Sequence, residues 1–325
     1  MKKILVIVSL LFAFASTSAI ANDYKCDKKF IFFPGGPEGG PFGTIVYNGA
    51  VAAAEHTGCD VDYYWSQWNS EIMIKQFKEA VALQPDVIAI NGFPGDAEMR
   101  PIIKEARDKG IVITTMNTPL PDLEAELKTS GFGYAGADLF DAGFNLGKKG
   151  VEVCGLKAGD KAFIWGLASM PNRGERTKGA IAGVESMGVK VVYQEIPDNV
   201  NSDASQGTPM YVATYSANPD IKMAITDHGG LTASLPTYMK AAGHGTEAVC
   251  GAGFDLSGPI VDGINSGYID VVIDQQPFIQ GYMPIVQLYL STKYGMAGLA
   301  MDTGAAFVTK ANIDAIAPLA ALQIR

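Results

Sequence analysis

Histidine is scarce in this 325-residue sequence, which contains only His56, His228 and His244. The three form neither an HExxH pattern nor another paired spacing that holds zinc, so a zinc enzyme is not predicted. The GxSxG elbow of many serine hydrolases is also missing. His228 follows Asp227, and the pair could act as base and acid, but adjacent loop residues usually point apart. We therefore predict that the protein is not an enzyme, and we expect no metal ion and no cofactor.

Two further absences concern phosphate groups and nucleic acid. The glycine-rich segment GGPEGG at residues 35–40 lacks the Lys-Ser/Thr ending of a phosphate-binding loop, and we interpret it as a flexible rim. Basic residues are outnumbered, with 25 Lys and Arg against 34 Asp and Glu and a net charge of -9. Because phosphate backbones attract clustered Lys and Arg, binding of nucleic acid is not expected.

Long apolar runs are absent beyond the amino terminus. The first 21 residues combine Lys2 and Lys3, an apolar run from Ile4 to Ala15, and small residues up to Ala21. This pattern predicts a secretory signal peptide with cleavage after Ala21, because the apolar run is shorter than a membrane span. We therefore expect a soluble, exported protein.

Cysteine is also rare, and Cys26, Cys59, Cys154 and Cys250 include no CxxC pair. In an oxidising compartment such cysteines favour disulfides over metal sites. Three pairings are possible. We favour Cys26 with Cys59, since both precede strands at the same edge of one predicted sheet, and Cys154 with Cys250.

What the sequence does contain is a regular alternation of short apolar runs and amphipathic segments of helix length, typical of parallel α/β sheets. Predicted strands lie near residues 30–33, 61–65, 87–90 and 111–116, then near 162–165, 189–194, 223–226, 249–254 and 269–273. Two successive sets predict two similar lobes, each with a doubly wound parallel sheet. The tail, residues 301–325, contains short apolar runs and no strong helix signal.

The predicted division of the chain follows from this alternation. Three connecting segments should form a hinge between the lobes, with a ligand cleft between them. The predicted parts are a signal peptide at 1–21, a first lobe at 22–137 plus 276–302, and a second lobe at 138–275 plus 303–325.

Polar side chains follow two late strands of the second set. Asp255 ends GAGFD, and Gln275 ends VVIDQ. Ligands collect outside the carboxyl ends of parallel strands, and a carboxylate and an amide suit sugar hydroxyls. The alternative is that Asp255 only caps the next helix and Gln275 is a solvated strand end.

Six motifs occur in an order that resembles one known family. They are GPF after the first strand, VITTMNTP, GERTKGAIAGV, MAITDHGG, GAGFD and VVIDQQP. The chain resembles the periplasmic sugar-binding proteins of ABC transporters, of the ribose- and galactose-binding type. The resemblance implies a periplasmic monomer that binds a monosaccharide between closing lobes and delivers it to a membrane permease. Some members also engage a chemoreceptor.

The resemblance also implies which side chains bind the ligand. An aromatic residue matches at Phe42, but the next position, often a second aromatic, is Gly43. Residues 199–203 lack the Phe or Trp that the family usually places against the ring. We expect Trp68 or Trp65, together with Phe93, to compensate. The polar positions of the family, with two upstream candidates, correspond to Asn117, Asn172, Arg173, Arg176, Asp227, Asp255 and Gln275.

Several ligand classes stay open at this point. A pentose, a hexose, a sugar alcohol, a cyclitol or a furanose-like signal molecule fits the Trp, Asn and Gln content. A nucleoside is a further alternative, as is an amino acid, for which Asp227, Asp255 and Arg176 could supply charged partners. DNA-binding regulators share this scaffold but need an amino-terminal helix-turn-helix, whose place is taken here by the predicted signal peptide.

Overall fold

The structure is a computed structural model that describes residues 26–325. The predicted signal peptide therefore lies outside the described residues. Within residues 26–325, no helix combines the length and the apolarity that crossing a bilayer requires.

Strand β1 (Lys29–Phe33) illustrates how the sequence builds the first sheet, because side chains alternate between the two faces of a strand. Phe30 and Phe32 pack on one face in a buried cluster with helix α1 (Pro41–Thr57). Ile31 and Phe33 pack on the other face in a second cluster. The same alternation continues along the first half of the chain through β2 (Asp60–Tyr63), α2 (Ser70–Ala82), β3 (Val87–Asn91), α3 (Asp96–Asp108), β4 (Val112–Met116), α4 (Pro121–Leu127) and β5 (Tyr134–Gly136).

The second half repeats this arrangement around a sheet of its own. Its elements are α5 (Leu139–Val153), β6 (Lys161–Gly166), α6 (Glu175–Ser186), β7 (Lys190–Glu195), α7 (Asp198–Ser202), α8 (Thr208–Ala217), β8 (Ile221–Thr226), α9 (Gly229–Ala241), β9 (Cys250–Phe254), α10 (Gly258–Ser266) and β10 (Val271–Asp274). Among the described residues there are also two short 3-10 helices, Lys128–Ser130 and Ala204–Gly207.

The last part of the chain adds one strand to each sheet. Its elements are α11 (Pro277–Tyr294), β11 (Ala300–Asp302), β12 (Ala306–Thr309) and α12 (Ile313–Ala321). The prediction that residues 301–325 hold no strong helix was wrong. Ile313 and Ala320 of α12 are buried in the core of the second sheet, at a spacing that suits one helix face. Pro318 obscured the signal, because proline inside a helix removes a hydrogen bond and normally indicates a break.

The two sheets have the same strand order. The first runs β11-β5-β4-β3-β1-β2 and the second β12-β10-β9-β8-β6-β7. All neighbouring pairs are parallel except β10 with β12. The predicted α/β fold with two similar lobes is confirmed. We call the first sheet with its helices the first lobe and the second sheet with its helices the second lobe.

Three segments connect the lobes, from β5 to α5, from β10 to α11 and from β11 to β12. Helix α11 returns to the first lobe and packs against α1 at very close range. Gly49 and Gly281 make this approach possible, because a Cβ at either would strike backbone atoms of the other helix. The three connecting segments together form one hinge that is shared by both sheets. The carboxyl ends of the strands in each sheet face the space between the lobes.

Both predicted disulfide pairings are present. Cys26 is bonded to Cys59, next to the amino-terminal ends of β1 and β2, and Cys154 is bonded to Cys250, where α5 ends and β9 begins. Both bridges therefore lie at the opposite ends of the strands from the space between the lobes.

Candidate functional site

A cavity of about 230 Å³ lies between the lobes, at the carboxyl ends of the strands of both sheets. It is lined by residues that follow β1, β2, β3 and β4 in the first lobe and by residues that follow each of β6 to β10 in the second. This is the place where parallel α/β sheets collect ligands. Drug-sized ligands usually occupy pockets of about 300–1,000 Å³, so a cavity of this size suits a smaller molecule.

Eight of the ten ligand-binding residues predicted from the sequence line this cavity. They are Phe42, Trp68, Phe93, Asn117, Arg173, Arg176, Asp255 and Gln275. Asn172 and Asp227 are not part of the lining, and both have other partners described below.

The first lobe contributes an aromatic wall. The ring of Trp68 lies 5.8 Å, centroid to centroid, from Phe42 and also from Phe93, tilted by 48° and 50°. Trp68 has a left-handed backbone conformation with φ +53, which is uncommon outside glycine. Its indole packs on the backbone of the glycine-rich segment, where a Cβ at Gly36 would lie 2.8 Å from Trp68 Nε1. The two glycines at residues 35–36 therefore determine where this ring sits.

Trp65, the other tryptophan considered from the sequence, does not line the cavity. Its ring lies 5.7 Å from that of Tyr47 on helix α1, and it also fills the space beside Gly43. Trp65 thus fills the space beside Gly43 from outside the cavity. Trp68 supplies the aromatic face that lines the cavity.

Asn117 connects the floor of the cavity to the hinge. Its Nδ2 donates to Gln275 Oε1 over 3.3 Å and to Gln280 Oε1 over 3.2 Å, while its Oδ1 accepts from Asn91 Nδ2 over 3.2 Å. Its φ of +59 is again left-handed, a conformation that asparagine tolerates better than most residues. These contacts aim the amide from the end of β4 towards the second lobe.

Asp255 is held in a fixed orientation by two donors. Oδ1 accepts from Gln275 Nε2 over 2.5 Å, and Oδ2 accepts from the backbone N–H of Gly229 over 2.7 Å. Burial raises the pKa of Asp255 above its usual value, while the charge of Arg176 and the two donors oppose that shift. The proposed helix-capping role of Asp255 is not seen, because no side chain caps α10.

Two arginines and Asp227 form a buried charged group behind this carboxylate. Arg173 Nη1 lies 3.0 Å from Asp227 Oδ2, and Arg176 donates to the carbonyl oxygen of Asp227 over 3.0 Å and to Gln275 Oε1 over 3.1 Å. Burial, together with the neighbouring Arg173, lowers the pKa of Arg176 to about 10. Burial raises the pKa of Asp227, opposed by both arginines. Asp227 therefore neutralises and orients the arginines, and it does not face the cavity.

The rest of the second-lobe lining consists of Leu167, the residues at 201–204, Gly229, Gly230 and one imidazole, that of His228. Burial and the charges of Arg173 and Arg176 lower the pKa of His228 to about 3, so the ring is neutral at physiological pH. From the sequence, His228 was only a candidate acid or base, and the two glycines at 229–230 were not predicted to line a site. The segment DHGG, which directly follows strand β8, was the sequence signal that could have indicated that these residues line a site.

The site as a whole offers hydrogen-bond donors and acceptors on one side and an aromatic face on the other. Two buried positive charges, Arg173 and Arg176, stand against two buried carboxyl groups, Asp227 and Asp255. Within residues 26–325, no three His, Cys, Asp or Glu side chains cluster in a way that could hold a metal ion.

The lining leaves out Asn172, which instead contacts the opposite lobe. Its Nδ2 donates to Asp96 Oδ2 over 2.9 Å and to the carbonyl oxygen of Pro119 over 3.0 Å. From the sequence, Asn172 could be assigned only to the mouth of the second lobe. Its hydrogen-bond partners lie in the first lobe, and their positions depend on how the two lobes pack together.

Comparison with known proteins gives a consistent result. The family model of the periplasmic binding protein domain matches residues 31–293. The xylose/arabinose-binding protein XylF of Sulfolobus acidocaldarius is 23% identical over an alignment of 272 residues that covers 78% of this chain and 65% of that protein. The D-ribose/D-allose-binding protein of Pseudomonas aeruginosa is 24% identical over 190 residues, 56% of each chain. This chain therefore spans less than two thirds of the length of either relative.

Among solved structures, a carbohydrate transporter protein from Acidothermus cellulolyticus in complex with myo-inositol superimposes with a TM-score of 0.77. The superposition covers 92% of this chain and 99% of that chain at 23% identity. At this identity, the likeness establishes the shared two-lobe fold.

Proposed function

This chain belongs to the periplasmic binding protein domain family, and from that premise we propose that it captures a monosaccharide or related polyol between its two lobes. The ligand is then delivered to the membrane permease of an ABC transporter. A chemoreceptor is a further partner that this function allows. The protein acts as an exported periplasmic monomer and catalyses no reaction.

One observation carries this proposal, namely the pairing of an aromatic wall with a hydrogen-bonding wall across one small cavity. Trp68 and its two aromatic neighbours offer an apolar face. Asp255 and Arg176 of the second lobe, with Asn117 on the floor of the cavity, offer acceptors and donors. A pyranose or a cyclitol has apolar C–H faces and a rim of hydroxyls, so both of its surfaces find partners here.

The charge balance of the cavity supports a neutral ligand. Arg173 is paired with Asp227, and Arg176 lies among Asp227, Gln275 and Asp255. A ligand carboxylate would have to displace a partner already held by these arginines, at the cost of leaving a buried charge unpaired. The related proteins named above are described with xylose or arabinose, ribose or allose, and myo-inositol, all of which are neutral and polyhydroxylated.

The mechanism is a two-lobe trap. The lobes comprise residues 22–137 with 276–302 and residues 138–275 with 303–325, a division supported by the sheet to which each strand belongs. In the open form the two walls are separated, and the ligand favours closure because only the closed form lets both walls contact it. Micromolar affinity corresponds to roughly 8 kcal/mol, which a few buried hydrogen bonds and one stacked ring can supply.

A thermal-shift screen tests the proposal. The mature protein, refolded to remove any copurified ligand, is screened against pentoses, hexoses, sugar alcohols, myo-inositol, amino acids and nucleosides. A ligand that binds only the folded state raises the melting temperature by mass action. A shift with one group of sugars or polyols is expected. A shift with amino acids or nucleosides alone overturns the carbohydrate assignment.

A further inference from the structure

The side chain of Asn172 joins the two lobes at a point outside the cavity. Asn172 lies in the loop between β6 and α6 of the second lobe, and both of its acceptors belong to the first lobe. Asp96 is the first residue of α3, and Pro119 follows β4. An amide nitrogen carries two protons, so these two hydrogen bonds use the full donor capacity of Asn172.

The loop that carries Asn172 is fixed within the second lobe. The hydroxyl of Ser169 donates to Glu195 Oε1 over 2.7 Å, and the backbone N–H of Ala168 donates to the hydroxyl of Tyr193 over 3.0 Å. Asn172 itself has φ +55, a left-handed conformation that turns the chain sharply before Arg173. The amide is therefore presented to the first lobe by a constrained backbone.

The acceptor on the first lobe is fixed as well. Asp96 Oδ1 accepts a hydrogen bond from the backbone N–H of Leu123 over 3.1 Å, which leaves Oδ2 directed at Asn172. Each partner is thus oriented by its own lobe, so little further ordering is needed when the lobes meet.

Apolar contacts surround these hydrogen bonds. Met170 packs against buried clusters of both lobes. Pro171 approaches Gly95 so closely that a Cβ at Gly95 would lie 3.0 Å from Pro171 Cβ. Residues 170–172 therefore present a small surface that is complementary to the first lobe. This surface lies outside the cavity.

We propose that Asn172 is a positioning residue that sets ligand affinity by stabilising the closed arrangement of the lobes, without touching the ligand. This inference rests on the proposed function of a closing trap. If part of the binding free energy comes from Asn172, its loss lowers the closed fraction, and the apparent Kd rises in proportion. Because the effect acts on closure, every ligand is affected by the same factor and the order of preference is kept.

The variants follow from the geometry. N172D sets a carboxylate against Asp96 and the Pro119 carbonyl, and we expect the Kd for every sugar to rise by about tenfold or more. N172A removes the hydrogen bonds without adding repulsion and has a smaller effect. In the double variant N172D/D96N, the new amide can donate to the new carboxylate, so part of the loss is recovered. The control is N312A, because Asn312 Nδ2 donates to the carbonyl oxygen of Phe307 within the second lobe.

Two measurements are made on each variant of the whole mature protein, without the predicted signal peptide. Small-angle X-ray scattering without ligand reports how compact the protein is, and calorimetric titration with two different sugars reports affinity and selectivity. The expected result is a more open unliganded N172D and an equal rise in both Kd values. Unchanged compactness together with unchanged affinity overturns the proposal, as does a change in ligand order, which would make Asn172 a ligand contact. If the wild type binds no sugar, the proposed function fails, and compactness alone decides the role of Asn172.

Discussion

Gln275 Nε2 donates a hydrogen bond to Asp255 Oδ1 over 2.5 Å, and this bond ties the ends of the neighbouring strands β9 and β10 together inside the cavity. The second carboxylate oxygen accepts from the N–H of Gly229 at the start of α9. Each carboxylate oxygen can accept more than one hydrogen bond, so Asp255 is aimed by the protein and still able to bind a ligand hydroxyl. Its position depends on the ends of three strands.

The first prediction concerns Gly229. A Cβ at this position would lie 2.7 Å from Asp255 Oδ2, so G229A should displace the carboxylate and weaken ligand binding by about tenfold, or about 1.4 kcal/mol. Calorimetric titration measures the change. G245A is the matched control, since nothing lies within 4 Å of a Cβ at Gly245. Equal affinity in both variants would contradict the assigned role of Asp255.

The second prediction concerns the aromatic wall. W68A removes the ring that lines the cavity and should raise the Kd of a sugar by about 30-fold, equivalent to about 2 kcal/mol, whereas W68F keeps an aromatic face and should lose less. W65A is the comparison, because Trp65 packs on Tyr47 outside the cavity. We expect W65A to lower the melting temperature while leaving affinity close to that of the wild type. An affinity loss in W65A as large as that in W68A would contradict the assignment of Trp68 to the cavity and of Trp65 to packing outside it.

The third prediction concerns pH. Because burial and two arginines lower the pKa of His228 to about 3, the folded protein keeps the ring neutral while the unfolded chain protonates it near pH 6.5. The associated stability is fully present above pH 6.5 and is lost as the pH falls towards about 3, by at most about 1.4 kcal/mol per pH unit. H228Q removes this contribution.

The measurement is the melting temperature of wild type and H228Q between pH 8 and pH 4.5. Carboxyl groups titrate in both proteins, so the difference between the two curves isolates the histidine. We expect the wild type to lose more stability than H228Q below pH 6.5. Parallel curves would mean that His228 is protonated as easily in the folded state as in the unfolded chain.

The fourth prediction concerns the disulfides. The loop closed by Cys154 and Cys250 has a sequence separation of 96, against 33 for Cys26 and Cys59. Chain-entropy arguments then give about 4.7 and about 3.7 kcal/mol, so the Ala pair at 154 and 250 should be the less stable in urea. Both bridges lie at the far ends of the strands, so neither pair should alter the Kd. A large affinity loss in either would show coupling between strand starts and the cavity.

Much of the fold was predictable because its signal is local. The apolar runs and the βα alternation are read along the chain, and they predict two parallel sheets. Helix α12 was missed since Pro318 masks a regular spacing of buried residues. The same local logic placed Asp255 and Gln275 at strand ends, because all parallel strands end on one side of a sheet. The family resemblance added Asn117.

The sequence could not predict the direction in which a side chain points or which residues of the two lobes come into contact. Trp68 rather than Trp65 faces the cavity because its backbone is left-handed and its indole rests on the glycines at residues 35–36. Asp227 turns to Arg173 rather than to the cavity. Asn172 contacts Asp96, which is 76 residues away in sequence and in the other lobe. Such choices depend on tertiary packing, which leaves no local pattern.

Capture of a sugar or polyol through Asp255 is tested by calorimetric titration of the ligand-free wild type and of D255A with the sugar or polyol that gives the largest thermal shift. We expect one site per chain with micromolar affinity in the wild type, about 8 kcal/mol, and no detectable binding to D255A that still shows the circular dichroism of the folded protein. Binding to D255A as tight as to the wild type, or no wild-type binding to any sugar or polyol, would contradict it.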